Sequence, residues 1–351
     1  MTAIELILSK NNNKIMLAIN KASFFLILTF FLLSCEENRY KVDTAKIPIK
    51  SEQIRFDAKL KQDNDFQDIH RSLLEEHADF YTEYFSAVLR LGDPNQPLAF
   101  ENIAAFLSDP TMVEIQNEIT KSFGDKTIFK EKIDDSFKRL AFFFPNEIVP
   151  NVIFYNSGFN YGVYPTANNI GVGLDWYIGS ENKLLLRLPP AQFPQYLRAK
   201  MNSNYLVSDI LRGYLLVKYS DKIDGKELLN QLMYFGKIAF LMDVLLPDEL
   251  EYLRYGYTES QMTWCQNNEF NIWKTLVSED LLYSSEGKMI NSFVGNAPFT
   301  KGFSDQSPGK LAFYIGKMMV EDYLDSNKNI TPKQLLDIPS ATILKAYRPN
   351  K

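Results

Sequence analysis

Residues 150–179 read PNVIFYNSGFNYGVYPTANNIGVGLDWYIG, and no other stretch limits the fold as strongly. Pro150 to Tyr155 is a short β-branched and aromatic run, and Ile170 to Asp175 alternates in the manner of a strand. Gly and Asn crowd the residues between them, which breaks any helical spacing. The reading is two strands joined by a long Asn-rich loop.

Helical spacing surrounds this segment. Phe66, Ile69, Leu73, Phe80, Tyr84, Val88 and Leu91 recur at intervals of three, four and seven, which predicts one amphipathic helix ended by Gly92-Asp93-Pro94. Asn102–Leu107, Thr111–Phe123 and Glu131–Phe143 read as further helices. Downstream come a short helical element over Pro189–Lys200 and an apolar helix over Tyr205–Tyr219. Helices over Leu228–Leu245, Met262–Leu276 and Gly309–Tyr323 complete the series. The expected fold class is α+β, predominantly helical, with a small mixed β-sheet in a single domain over residues 51–351.

The N-terminus carries a different message. Lys10, Lys14 and Lys21 precede an apolar run from Phe24 to Leu33 broken only by Thr29, which is too short to span a bilayer comfortably and reads as a secretory signal over residues 1–34. Translation could start at Met1 or at Met16, since Met16 to Cys35 already makes a complete signal. The run ends Leu32-Leu33-Ser34-Cys35, which resembles the lipobox of bacterial lipoproteins and implies cleavage before Cys35 and lipid attachment to its sulfur. Each acyl methylene then contributes about 0.8 kcal/mol to membrane anchoring. Residues 35–50 are polar and short of core residues, so they read as the lipidated cysteine and a solvated tether. No later stretch is read as long and apolar enough to span.

Composition excludes several classes. The net charge of the chain is −5, and removing Lys10, Lys14, Lys21 and Glu5 with the signal leaves −7. An acidic chain without a basic cluster argues against nucleic acid as a partner. Beyond Cys35 the sole cysteine is Cys265, so neither an internal disulfide nor a cysteine metal site is available. The whole chain holds two histidines, His70 and His77.

That scarcity bears on the helix YLVSDILRGYLL. A strand pair, an apolar helix and a second helix roughly 25 residues on form the working part of gluzincin peptidases, where two histidines one turn apart and a glutamate from the second helix converge on zinc. Here Ser208 and Arg212 stand at the histidine positions, Asp209 at the glutamate between them, and Phe235 at the third ligand. These residues build no zinc site, so the expectation is a zincin-like scaffold with a degenerate active-site helix, no cofactor and no metal.

The segment NSGFNYGVYPTANNIGVGLDWYIG, the following RLPPAQFPQYLRAKM and the lipobox together resemble the gliding-motility lipoprotein family GldB of the Bacteroidetes. The resemblance implies an envelope lipoprotein without known catalysis, needed for surface gliding and the associated type IX secretion machinery. Its partners would be the membrane and other gliding and secretion proteins. The location implied is the outer membrane, facing the periplasm or, given Glu36-Glu37, the cell surface.

Other candidates have plainer readings. His70 and His77 fall on nearly one helix face and could form half a metal site with Glu76 or Asp79, yet a solvated face carrying two incidental histidines explains them. Asp175 and Asp209 could act as acid and base, and isolated carboxylates more often hydrogen-bond or face solvent. Asp209 and Arg212 are spaced for a helix ion pair. Ser157 lacks both a neighbouring histidine and a Gly-x-Ser-x-Gly elbow. Tyr161, Tyr164, Asn168, Asn169, Asp175 and Trp176 could line a peptide groove along an edge strand. The competing functions are a hydrolase with a non-standard site and a glycan-binding lipoprotein.

Overall fold

The computed structural model describes residues 40–61, 66–124 and 129–349; the signal run and Cys35 lie outside the described residues. The compact folded unit begins at Asp43. Residues 43–50, read above as part of a tether, belong to it: Thr44 Oγ1 donates to Asp135, and one residue further on Ser51 Oγ donates to Pro150 O at 2.7 Å.

The fold is predominantly helical around a four-stranded mixed sheet. Strands β1 (Gln53–Arg55), β2 (Asn151–Tyr155), β3 (Val163–Pro165) and β4 (Asn169–Gly173) stand in the order β1-β2-β4-β3. β1, β2 and β4 run parallel, with Ile54 beside Ile153 and Ile153 beside Gly171, whereas β3 is antiparallel to β4 through Val163 and Val172. The expected loop thus contains a strand of its own, and a turn pinned by Thr166 and Asn169 folds it back onto β4. Pro165 is tolerated because β3 is an edge. β2 and β4 are buried on both faces, as strands covered on two sides must be.

The main helices are α1 (Phe66–Glu76), α2 (Ala78–Glu83), α3 (Pro97–Ser108), α4 (Pro110–Phe123), α5 (Lys130–Phe143), α6 (Leu206–Lys218), α7 (Leu228–Leu245), α8 (Glu251–Tyr255), α9 (Glu259–Ser278), α10 (Gly287–Val294) and α11 (Ala312–Ser326). The single helix expected over residues 66–91 is interrupted at His77, whose φ of −136° is not helical, and α2 then widens into a π turn over Tyr84–Val88. The apolar spacing runs through the break because both pieces bury the same stripe.

Two glycines bring helices and sheet together. On one face a Cβ at Gly171 would lie 2.4 Å from the Phe80 ring and 2.7 Å from that of Tyr155, so its absence seats the aromatic cluster of Phe56, Phe80, Tyr81, Tyr84, Phe85 and Tyr155 against β4. Near β3, Gly213 lets α6 approach Val163, whose Cγ1 would be 2.9 Å from an added Cβ.

The α7 helix corrects one expectation: at 18 residues it is long and apolar enough to cross a membrane. Most of it is buried inside the folded unit, and it is apolar all round because neighbours enclose it. Its closest partner is α11. At their crossing Gly236 meets Gly316, where an added Cβ would fall 1.9 Å from Leu232 O, so the backbones touch.

Candidate functional site

A cavity of about 330 Å³ opens beside β3, with α6 supplying Asp209, Arg212 and Gly213 to its wall. Asp209 and Arg212 are three residues apart on one face of α6, and the ion pair expected from that spacing is formed. The Asp209 carboxylate also accepts from Tyr177 Oη at 3.1 Å. Arg212 is engaged twice over, because Nη1 donates to Leu253 O at 3.2 Å and to Arg254 O at 2.8 Å while Nη2 holds Asp209.

Those two carbonyls lie in the last turn of α8, where helix geometry leaves carbonyls short of partners, although Leu253 O also accepts from Gly256 N at 3.0 Å. Gly256 follows at φ +69°, and an added Cβ there would lie 2.7 Å from the guanidinium. Glycine therefore serves both the left-handed turn and the approach of Arg212. Arg212 thus acts as a clasp between α6 and α8.

Two lysines complete the charge of the cavity. Lys200 Nζ donates to Gly256 O at 2.6 Å. Lys310 lines the cavity from the segment before α11, with a backbone φ of +58° and its carbonyl accepting from Tyr257 Oη at 2.7 Å. Burial, reinforced by the charge of Arg212, lowers both amines to about 8. The indole of Trp176 packs over Gly162, and its Nε1 is buried without a hydrogen-bond partner.

The other sequence candidates go elsewhere. Ser208 is fully buried, its hydroxyl has no partner, and it does not line the cavity. Phe235 sits on α7 against the Phe313 ring, 4.9 Å between centroids, also outside the lining. Of the proposed groove only Trp176 faces the cavity. Tyr161 and Tyr164 pack on each other, with Tyr164 Oη donating to Glu83 at 3.2 Å. Asn168 and Asn169 line a separate hollow with His77 and Asp79. Asp175 is sealed in the interior, where it accepts from Ser157 N at 2.9 Å, Ser157 Oγ at 2.7 Å and Phe159 N. This carboxylate holds the turn at Gly158 and Phe159, both at positive φ.

The histidines are not brought together on one regular face. His70 Nδ1 pairs with Tyr81 Oη at 2.9 Å, while His77 borders Glu76 at 3.8 Å and packs on Phe56. Burial lowers the pKa of each. Among the described residues no three His, Cys, Asp or Glu side chains converge as a metal site would need. Sequence reasoning missed Lys200, Lys310 and Tyr177 as neighbours of α6, because they reach it from three separate segments and share no spacing.

A sequence model of the family GldB_lipo, described as "Gliding motility protein GldB", matches residues 37–349. No curated protein matches the chain, and no solved structure does.

Proposed function

The chain belongs to the GldB family of gliding motility proteins, and from that premise we propose that it is a non-catalytic envelope lipoprotein, anchored through Cys35 after removal of residues 1–34. In this reading it acts as a binding or assembly component of the gliding apparatus and its type IX secretion machinery, at the outer membrane. Its scaffold derives from a zincin-like peptidase whose active-site helix is α6. The short name of the family marks it as one of lipoproteins.

One observation carries the reading: the charged groups on α6 are committed to structure. The carboxylate of Asp209 is taken up by Arg212 and Tyr177, and Arg212 by the end of α8. A general base needs a free carboxylate within reach of substrate. Both oxygens of Asp209 already accept a hydrogen bond, and neither histidine lies beside it.

The test is replacement of the chromosomal gene. Deletion is expected to abolish surface gliding, whereas Asp209→Asn, expressed at the wild-type level, is expected to glide. Gliding after deletion overturns the motility role, and loss of gliding in a stably folded Asp209→Asn strain favours a hydrolase instead.

A further inference from the structure

Beside Asp209 the cavity presents three cationic side chains, Lys200, Arg212 and Lys310, in a chain whose net charge is −5. Asp209 is the sole carboxylate in its lining, so the wall carries a cationic excess.

The hydrogen bonds show which part of that excess is available. The Asp209 carboxylate and the Arg212 guanidinium are occupied by each other, by Tyr177 and by the α8 carbonyls. Lys200 spends one donor on Gly256 O. The Lys310 ammonium makes no hydrogen bond or ion pair among the described residues. Of the cationic groups in the lining, the Lys310 ammonium and the remaining donors of Lys200 are left to a ligand. Buried donors without acceptors are costly, and a ligand that brings acceptor oxygens removes that cost.

The backbone holds Lys310 for this purpose. A non-glycine residue at φ +58° is uncommon, and here the strained turn is fixed by Tyr257 Oη and Phe313 N, both donating to the Lys310 carbonyl. Apolar and aromatic side chains, among them Leu197, Met201, Tyr196 and Trp176, form the remaining wall, and about 330 Å³ suits a small group or a chain end.

We propose that this cavity binds a compact oxyanion, a carboxylate or a phosphate, through Lys310 and Lys200. The proposal rests on reading the cavity as a binding site and not a reacting one, and it supplies the ligand chemistry that reading lacks. Lowered by burial, the two amines regain proton affinity when an anion lies beside them.

The experiment is thermal unfolding of the full chain in detergent, followed by tryptophan fluorescence, against inorganic phosphate, citrate and acetate at ionic strength held constant with chloride. At least one oxyanion is expected to raise the Tm saturably in the wild type. Lys310→Gln is expected to weaken that response tenfold or more while unfolding at or above the wild-type temperature without ligand, since it removes an unpaired buried amine. Lys200→Gln serves as the second variant and is expected to weaken it as well. Saturation by phosphate at the lower concentration identifies a phosphate source, and by citrate or acetate a carboxylate source. Equal responses in wild type and both variants, or no saturable response, overturn the proposal. Neither result bears on gliding after gene deletion, so this failure and that of the motility reading are told apart.

Discussion

Asp175 shows what a carboxylate does when the fold seals it in. Burial, which outweighs the hydrogen bonds from Ser157 and Phe159, pushes its pKa from 3.8 to about 6. A carboxyl whose folded pKa lies above its unfolded value binds its proton more tightly in the native state. Its contribution is therefore most favourable below the unfolded pKa and declines as pH rises through the folded one. The gap corresponds to roughly 3 kcal/mol. Asp175→Asn has no such titration, so in denaturant unfolding the wild type is expected to lose about 3 kcal/mol relative to the variant between about pH 4 and pH 7. A constant difference across that range refutes the assignment. At this scale legibility depended on proximity in sequence. Asp209 and Arg212 could be paired on paper because one helical turn separates them, whereas Lys310 meets the same cavity from a segment about a hundred residues on and no spacing announces it.

The helical elements are joined by a charge cluster as well as by apolar packing. Lys317 of α11 is nearly buried, and its Nζ lies 2.9 Å from Asp243 of α7, 2.9 Å from Glu251 of α8 and 3.1 Å from Glu321. Arg254 Nε adds a contact of 2.7 Å to Asp243, and the Tyr255 ring lies 5.6 Å below the ammonium. The three carboxylates and the ring hold the Lys317 pKa far above its ordinary value. Lys317→Met leaves those carboxylates facing one another across three helices, and a loss of about 3–5 kcal/mol in unfolding free energy is expected. That loss should shrink at acid pH, where the carboxylates accept protons; a loss independent of pH points to lost packing instead. Most of these helices were legible because their apolar residues recur over several turns. β1 and β3 were not, since three-residue strands have no period to detect and their pairing is decided by partners far along the chain. The break at His77 was missed for the opposite reason, a stripe regular enough to hide it.

For the molecule as a whole, the donor set decides which chemistry to look for. Metal analysis of the purified full chain after dialysis against a weak chelator is expected to show no stoichiometric zinc, because the histidines sit apart and the α6 carboxylate is occupied. Stoichiometric zinc would mean that ligands come together outside the arrangement described. The architecture also has a mechanical side. β1 follows directly on the segment that leads in from the N-terminus, and it is one of the two outer strands of the sheet, paired with β2 alone. A pull entering from that end, which is where an anchor at Cys35 would apply it, meets the contacts of Thr44 and Ser51 and then three rungs of β1. The cavity is built from residues 162–310, beyond those rungs, so a tug on the N-terminal end would be absorbed by the sheet margin before it could deform the cavity.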